Sequence, residues 1–300
     1  MGSAFMGYMR LVRPANLPTA VADILAGLAI SGLYGASFDP GLPDSSVYFQ
    51  GLWLILGSTA LYAGGVVLND VFDAKLDRIE RPERPIPSGL VTVSGAAVFG
   101  GILLVLGIIL AFIAHPFSGY IAILLVFMIL TYDAYFKKFP FLGPLNMGIC
   151  RGVNLILGMS ALGSILHWWY ALIPVAYIFA ITLISRGEVH GENKKQLIWA
   201  AILYALVIFS VISIVALHPM HVTQVLPVLV LFAFLLYLPL TNAHRNNNPE
   251  TIRKAVMAGV LSLIVLDAAL ALVFTPWWYG FLILMLWPLS RMLSKLFAVT

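Results

Sequence analysis

The chain has little charge and almost no cysteine. Asp, Glu, Lys and Arg make up 10% of its 300 residues, whereas 61% are hydrophobic and the mean hydropathy is +0.97. Soluble domains average about 25% charged residues, so the composition excludes an ordinary soluble protein. The single cysteine, Cys150, excludes a disulfide framework. The sequence also lacks histidines with the spacing of zinc ligands, a phosphate-binding glycine loop and a basic patch for nucleic acid.

Long apolar runs fill most of the sequence instead. A helix needs roughly 20 apolar residues to cross a bilayer, and the runs lack the alternating pattern of barrel strands. We therefore predict an all-α membrane protein that forms one domain over residues 1–300. We expect residues 1–5 either to be disordered or not to belong to the natural protein. The last run is short and contains Pro288, so the bundle has nine or ten transmembrane helices. The ten runs are about 15–36, 48–68, 90–113, 117–133, 141–163, 167–185, 196–217, 223–241, 254–275 and 277–293.

The Lys and Arg residues are distributed unevenly between the loops. Sixteen of the 17 precede the first run or follow every second run, whereas Arg151 lies inside the fifth. Loops rich in Lys and Arg stay on the cytoplasmic side of a membrane. The pattern predicts a multi-pass protein of the cytoplasmic (inner) membrane, with its N-terminus and its acidic loops on the cytoplasmic side.

Three aspartates lie within eight residues at the end of the second run. Asp70, Asp73 and Asp77 are spaced i, i+3, i+7, so on a helix they share one face. Like charges on one face weaken a helix, so we expect a positive partner to offset them. A hard divalent cation is the obvious candidate, because such ions prefer carboxylate oxygens. The simpler alternative is a solvated loop that caps the helix.

A basic, proline-rich segment follows these aspartates. Arg78, Arg81 and Arg84 recur every three residues and could bind phosphate oxygens. Topology alone is the alternative, because basic residues belong on this side of the membrane in any case. The three prolines between positions 82 and 87 predict an ordered, non-helical loop beside a site.

A second acidic pair lies four runs further along the chain. Glu188 and Glu192 are spaced i, i+4, again on one helical face, although a polar loop would look the same. Together with the first cluster they could hold two Mg²⁺ ions that bridge one diphosphate. Mg²⁺ typically combines a few carboxylates with substrate phosphates and water.

Polar residues inside the apolar runs form a third group. An arginine within a membrane is costly and by default indicates function. Arg151, with Asn154 three residues later, could face a polar cavity and bind a phosphate. The alternative is a buried ion pair, for example with Asp23 or Asp267.

Four more residues are candidates for lining this cavity. Lys137 and Lys138 follow the fourth run and could bind the diphosphate, with topology as the equal alternative. Tyr132 precedes them, and its aromatic face could stabilise a cation. Asn16, at the start of the first run, could line the cavity or simply begin a helix.

The acidic and proline-rich segments resemble a known family. Asn69-Asp70-x-x-Asp73-x-x-x-Asp77 followed by Arg81-Pro82-x-Arg84-Pro85-Ile86-Pro87-Ser88-Gly89 looks like the first motif of the UbiA superfamily of intramembrane prenyltransferases. The similarity extends from Arg13-Pro14-x-Asn16 over nearly the whole chain, and it is greatest to the branch near digeranylgeranylglyceryl phosphate synthases and the EboC proteins. The second motif departs from the family, which usually has Asp-x-x-x-Asp where this chain has Glu188-x-x-x-Glu192.

The resemblance implies a UbiA-like bundle around a central cavity, with both motifs at its cytoplasmic mouth. It implies a prenyltransferase, an enzyme that transfers alkyl groups other than methyl. The donor would be a prenyl diphosphate, such as geranylgeranyl or farnesyl diphosphate, and the acceptor is not identified. We expect the lipid bilayer as surroundings, and neither nucleic acid nor a protein partner.

The resemblance and the two acidic motifs together predict two bound Mg²⁺ ions and a set of site residues. The expected metal ligands are Asn69, Asp70, Asp73, Asp77, Glu188 and Glu192. The expected catalytic residues are Asp73, Asp77, Glu188, Glu192 and Tyr132. The expected diphosphate-binding residues are Asn16, Arg78, Arg84, Lys137, Lys138, Arg151 and Asn154.

Two other functions fit parts of the sequence. Ten spans with intramembrane charges would also suit a multi-pass transporter or lipid carrier, although transporter sites usually lie near the midplane rather than at one mouth. The glutamates of the second motif would also suit a binding homologue with weakened catalysis.

Overall fold

The computed structural model describes residues 2–32, 46–188, 191, 193–218 and 221–297, and the regular structure within these ranges is helical. This confirms the all-α membrane fold. Residues 2–5, for which we predicted disorder or a foreign origin, lie at the start of the first helix. The helices are α1 (Gly2–Val12), α2 (Leu17–Ile30), α3 (Ser46–Phe72), α4 (Ala74–Glu80), α5 (Val93–Ala114), α6 (Pro116–Ala134), α7 (Leu142–Met159), α8 (Leu172–Ser185), α9 (Lys194–Leu217), α10 (Val222–Asn246), α11 (Pro249–Leu272), α12 (Trp277–Leu284) and α13 (Leu286–Phe297).

Within the described ranges, nine segments are long and apolar enough to cross a bilayer, and they correspond to the second to tenth predicted runs. The first run contains α2, whose 14 residues fall below that length, and residues 33–45 lie outside the described part. The last segment, Trp277–Phe297, consists of α12 and α13. They meet at Met285 because Pro288 lacks an N–H and its ring opposes the carbonyl of Leu284.

The centre of the bundle consists of α2, α7 and α11. In the most apolar stretches of α7 and α11, 67% and 72% of the residues are buried, against 22% in α10. Helix α2 packs against both α7 and α11 and also against α3. Large apolar side chains on the outer helices, among them Val98, Phe209 and Val230, are exposed. Such a surface is compatible with lipid, because bilayer tails are themselves apolar.

A glycine contact holds α2 close to α7. A Cβ atom added to Gly27 would lie 2.7 Å from the Cα of Gly158, which is too short for two carbon atoms. Small residues allow this approach in membrane bundles, where helices associate through close packing. The contact matters for the site because α2 and α7 both contribute polar side chains to the interior.

Loops that carry seven of the 17 Lys and Arg residues meet at one end of the bundle, here called the motif end (described residues 69–92, 134–141, 186–188, 191, 193 and 246–249). Three contacts join these loops: Lys137 Nζ to Asp73 Oδ1 (2.6 Å), Arg186 Nη2 to the Phe139 carbonyl (2.8 Å), and the Asn193 N–H to Asn247 Oδ1 (3.0 Å). The first acidic motif and Glu188 of the second therefore lie at the same end of the molecule. This arrangement is the one the alternating charge pattern predicts.

Candidate functional site

A cavity of about 390 Å³ enters the bundle from the motif end. Its wall is largely apolar and comes from α2, α3, α6, α7, α8 and α11. Polar side chains interrupt this wall at two levels. Near the motif end they include Arg13, Asn16, Asn69, Tyr132 and Asp133; deeper in the bundle they include Tyr62, Arg151 and Asn154.

Basic side chains neutralise the aspartates of the first motif. Arg84 Nη1 lies 2.7 Å from Asp77 Oδ2 and 3.3 Å from Asp70 Oδ1. Arg13 Nη2 lies 2.6 Å from the same oxygen of Asp70. The side chains of Asp70 and Asp77 are only 5% and 6% exposed. The positive partners that we expected to offset repulsion among the aspartates are therefore, for Asp70 and Asp77, the arginines at positions 13 and 84.

The side chain of Asp73 pairs with a different part of the chain from the side chains of Asp70 and Asp77. Helix α3 ends at Phe72 and α4 begins at Ala74, and Asp73 joins them with φ −88° and ψ 0°. The side chain forms an ion pair with Lys137, whose Nζ is 2.6 Å from Oδ1. At 23% exposure this carboxylate is the most accessible of the three aspartates of the first motif. It is the carboxylate best placed to take a ligand from outside.

Two residues near the motif end were not predicted as site residues from the sequence. Asp133, buried in the cavity wall, accepts a hydrogen bond of 2.7 Å from Asn69 Nδ2. Arg13, in a left-handed conformation with φ 49°, pairs with Asp70. The available signals were a carboxylate ending an apolar run and the Arg-Pro pair before the first run.

Glu188 of the second motif is half-buried at the motif end. Burial raises its pKa, while the charges of Arg81 and Arg253 oppose this increase. Arg81 belongs to the proline-rich segment after the first motif, so the two motifs are electrostatically connected. Glu192, the other glutamate of the second motif, lies outside the described residues.

The deep polar level is a buried cluster that joins several helices. Arg151 Nε lies 2.7 Å from Asp23 Oδ2. The same oxygen accepts a hydrogen bond of 2.7 Å from Asn154 Nδ2, and Ser58 Oγ donates one of 2.7 Å to Asn154 Oδ1. The buried ion pair that the sequence offered as the alternative for Arg151 is thus present, with Asp23 as the partner. Asp267, fully buried, stands beside them.

The remaining predicted residues divide into two groups. Asn16 and Tyr132 line the cavity, as predicted for a site. Arg78 and Lys138 are exposed and lie outside the cavity wall. Of the two lysines the sequence could not distinguish, Lys137 is the one that contacts the first motif.

The donor atoms at the motif end fit a hard cation bound together with its substrate. Within the described ranges, no three acidic, histidine or cysteine side chains converge closely enough to hold a metal by themselves. The carboxylates are nevertheless oxygen donors held near a cavity mouth. Mg²⁺ usually takes one or two carboxylates and completes its shell with water and substrate phosphates, so this donor set is compatible with a Mg²⁺–diphosphate complex.

The model of the UbiA prenyltransferase family matches residues 25–258. The chain belongs to this family. The match includes the first acidic motif, the lysine loop, Arg151 and the second acidic motif. The resemblance drawn from the first motif is therefore confirmed over most of the chain.

Within the UbiA prenyltransferase family, this chain is similar to digeranylgeranylglyceryl phosphate synthases. It is 32% identical to the synthase of Methanococcoides burtonii over 160 residues, which cover 52% of this chain and 55% of that protein. It is 32% identical to the synthase of Methanosarcina mazei over 197 residues, covering 63% and 65%. The chain thus spans between just over half and just under two thirds of these two relatives.

Solved UbiA structures share the fold. A UbiA homologue from Archaeoglobus fulgidus, bound to DMAPP and Mg²⁺, superposes with a TM-score of 0.60 over 88% of this chain and 98% of that one. The sequence identity of 14% shows similarity of fold alone.

Proposed function

We propose that this protein transfers a prenyl group from a prenyl diphosphate to an acceptor in the membrane, in a Mg²⁺-dependent reaction that releases diphosphate. The observation that carries the proposal is the meeting of the first acidic motif and Glu188 with Arg84 and Lys137 at the motif end, where the cavity opens. Family membership and the DMAPP and Mg²⁺ bound to the Archaeoglobus fulgidus homologue support it. Geranylgeranyl and farnesyl diphosphate are the expected donors.

The motif end is suited to a diphosphate because it already contains the matching charges. Arg84 and Lys137 are paired with carboxylates in this structure, and both have N–H groups that can bind phosphate oxygens instead. Asn69, Asp73, Asp77, Glu188 and Glu192 are the residues that would hold Mg²⁺, with Asp70 as a ligand or a support. Bound Mg²⁺ supplies charge stabilisation for the diphosphate leaving group.

The apolar cavity suits the prenyl chain and its reactive end. The C–O bond of the donor breaks, its electron pair leaves with the diphosphate, and C1 becomes cation-like before the acceptor attacks it. Apolar walls keep water from this centre, and the ring of Tyr132 in the wall can face it. A site within the membrane admits the long chain directly from lipid.

The orientation in the membrane follows from the same charges. Ten of the 17 Lys and Arg residues lie in the motif end or within two positions of it in the sequence, and we propose that this end faces the cytoplasm. Prenyl diphosphates are soluble at their phosphate end, so they would approach from that side.

The test is diphosphate release by the purified full-length chain in detergent, with labelled geranylgeranyl diphosphate and Mg²⁺. We expect Mg²⁺-dependent release in the wild type and a loss of at least about 100-fold in Asp73→Asn, the size expected for a group that stabilises developing charge. Glu250→Gln is the control, because Glu250 is an exposed carboxylate paired only with Lys254 on its own helix. Tight binding without turnover would instead indicate a carrier or a weakened homologue.

A further inference from the structure

Asp133 is a buried carboxylate in the cavity wall to which the proposed reaction gives no role. It lies in the last turn of α6 and is 2% exposed. None of the ion pairs within the described ranges involves it, whereas all three aspartates of the first motif are paired. Its side chain makes a single hydrogen bond to the described part of the chain, in which Oδ1 accepts the Asn69 N–H at 2.7 Å. A buried carboxylate is costly unless it is paired or hydrogen-bonded, so this contact is the one that a role for Asp133 has to use.

We propose that Asp133 is a positioning residue that orients the side-chain amide of Asn69 and thereby presents its oxygen to a Mg²⁺ ion bound at the first motif. The inference rests on the proposed function, in which Asn69 is one of the residues that would hold Mg²⁺. Asp133 acts through Asn69 and touches neither the metal nor the diphosphate.

The amide of Asn69 can be held in two orientations, and only one of them suits a metal. Its oxygen can bind a hard cation, whereas its NH₂ group only donates hydrogen bonds. An ionised carboxylate only accepts hydrogen bonds, so Asp133 binds the NH₂ group and turns Oδ1 the other way. Within the described ranges no group donates a hydrogen bond to this Oδ1. The oxygen is therefore available to a ligand.

The position of Asn69 places this oxygen beside the first motif. Asn69 lines the cavity, and its backbone carbonyl accepts the Asp73 N–H at 2.9 Å. Asp133 is close enough to feel the charges of Asp73, Asp70 and Lys137. A hydrogen bond to a carboxylate is stronger than one between neutral groups and shifts electron density onto the amide oxygen. Partners of this kind fix the orientation of a metal ligand and strengthen its binding.

The experiment measures metal binding without turnover. Mn²⁺ replaces Mg²⁺ and a fixed concentration of inorganic pyrophosphate replaces the prenyl diphosphate, and metal analysis after equilibrium dialysis gives the apparent Kd for the whole chain in detergent. The proteins are the wild type, Asp133→Asn, Asp133→Leu, Asn69→Ala and the double variant Asn69→Ala/Asp133→Leu. Glu250→Gln is the control, because this exposed carboxylate pairs only with Lys254 on its own helix.

We expect Asp133→Leu to raise the apparent Kd for Mn²⁺ by about 10- to 100-fold, the usual effect of removing a group that orients a metal ligand. Asp133→Asn should raise it by less than about fivefold, because its side-chain oxygen still accepts the Asn69 N–H and only the charge is lost. The double variant should bind no more weakly than Asn69→Ala, because residues that act through one another are not additive. Glu250→Gln should bind as the wild type does.

Three results would overturn the inference. They are unchanged Mn²⁺ binding in Asp133→Leu, equal losses in Asp133→Asn and Asp133→Leu, and additive losses in the double variant. The Tm of each metal-free variant shows whether folded proteins are being compared. Should Asp133→Leu not fold, Asp133→Ala, which leaves room for water, takes its place in the same comparison.

Diphosphate release from labelled geranylgeranyl diphosphate, measured on the same samples, separates this inference from the proposed function. If Mn²⁺ binding depends on Asp133 as expected but the wild type releases no diphosphate, the proposed function fails and the positioning role stands. If the wild type turns over while its Mn²⁺ binding is indifferent to position 133, the positioning role alone fails.

Discussion

The Nζ of Lys137 lies 2.6 Å from Oδ1 of Asp73, and this contact joins two loops that are 64 residues apart in the chain. A lysine that neutralises a carboxylate here can also neutralise a phosphate, because its ammonium group needs only an oxygen partner. Binding of a Mg²⁺–diphosphate complex would let Asp73 exchange Lys137 for the metal and Lys137 exchange Asp73 for a phosphate. Under the proposed function, the ion pair would keep both groups in place until the diphosphate and the metal bind.

Replacing Lys137 should weaken binding of the donor. In Lys137→Gln we expect the KM for the prenyl diphosphate to increase about 10-fold or more, since a charge-assisted hydrogen bond is lost. Steady-state kinetics in detergent measure this change. Lys138→Gln is the comparison, because Lys138 is adjacent but exposed and makes no contact with the first motif. A larger effect at position 138 than at 137 would contradict the assignment.

The half-buried Glu188 should make Mg²⁺ activation dependent on pH. Burial raises the pKa of Glu188, and Mg²⁺ binds the ionised carboxylate. As the pH falls through this raised pKa, the ligand is protonated, and the Mg²⁺ concentration for half-maximal rate should increase, by roughly tenfold per unit well below the pKa. Arg81→Gln removes one of the charges that lower this pKa. The pH dependence of its Mg²⁺ requirement should therefore shift to higher pH, whereas that of Arg81→Lys should stay where it is in the wild type.

Lowering the pH should have the opposite effect on the stability of the metal-free protein. There, protonation of Glu188 should stabilise the fold instead of weakening Mg²⁺ binding. The pKa of Glu188 is higher in the folded protein than in the unfolded chain, so the folded state binds the proton more tightly. The contribution of this group to the free energy of unfolding therefore increases as the pH falls through the raised pKa. Thermal unfolding of wild type and Glu188→Gln across mildly acidic pH separates this contribution from those of other carboxylates, and parallel curves would contradict it.

Cys150 provides a direct probe of cavity occupancy. It is the only cysteine in the chain and lines the cavity. A small neutral thiol reagent should modify it, and saturating prenyl diphosphate with Mg²⁺ should slow the modification at least about fivefold by filling the space in front of it. Mass spectrometry of the intact protein follows the reaction. Ser94→Cys in a Cys150→Ser background is the control, since Ser94 is exposed outside the cavity. Equal protection at both positions would indicate a general effect rather than occupancy.

The close contact between α2 and α7 should tolerate no side chain at Gly27. A Cβ there would lie 2.7 Å from the Gly158 Cα, so Gly27→Ala must push the helices apart, and we expect the Tm to decrease by several degrees. Gly101→Ala is the matched control, because its Cβ would meet nothing within 4 Å. Alanine is preferred over glycine in a helix by up to about 1 kcal/mol, so this variant should keep or raise the Tm. A similar decrease in both variants would contradict the packing explanation, because an added Cβ at Gly101 has no close contact to disturb.

Much of the fold could be predicted from the sequence because the bilayer imposes a local requirement. Each apolar run must be long enough to cross, so nine of the ten runs can be read directly and they match described helices. The alternation of basic loops also predicts which loops share an end. The polar residues of the first motif are contiguous in the chain, so their order and spacing suffice to indicate the family.

The arrangement within the site depends on distant parts of the chain, which no local pattern reveals. The aspartates at positions 70, 73 and 77 form one series in the sequence, yet Asp70 and Asp77 pair with Arg84 while Asp73 pairs with Lys137. From the sequence, Arg151 was predicted to bind a phosphate, with a buried ion pair as the alternative. Only packing of α2 against α7 brings it to Asp23, 128 positions earlier in the sequence.

The order of residues is enough to establish that this protein lies in a membrane, that its helices alternate across it, and that a UbiA motif stands at one end. Which basic residue neutralises which acid, and at what depth each polar group lies, depends on how the helices pack. The difference arises because crossing a bilayer constrains every segment separately, whereas a charge is satisfied by whichever partner the packing brings within about 3 Å.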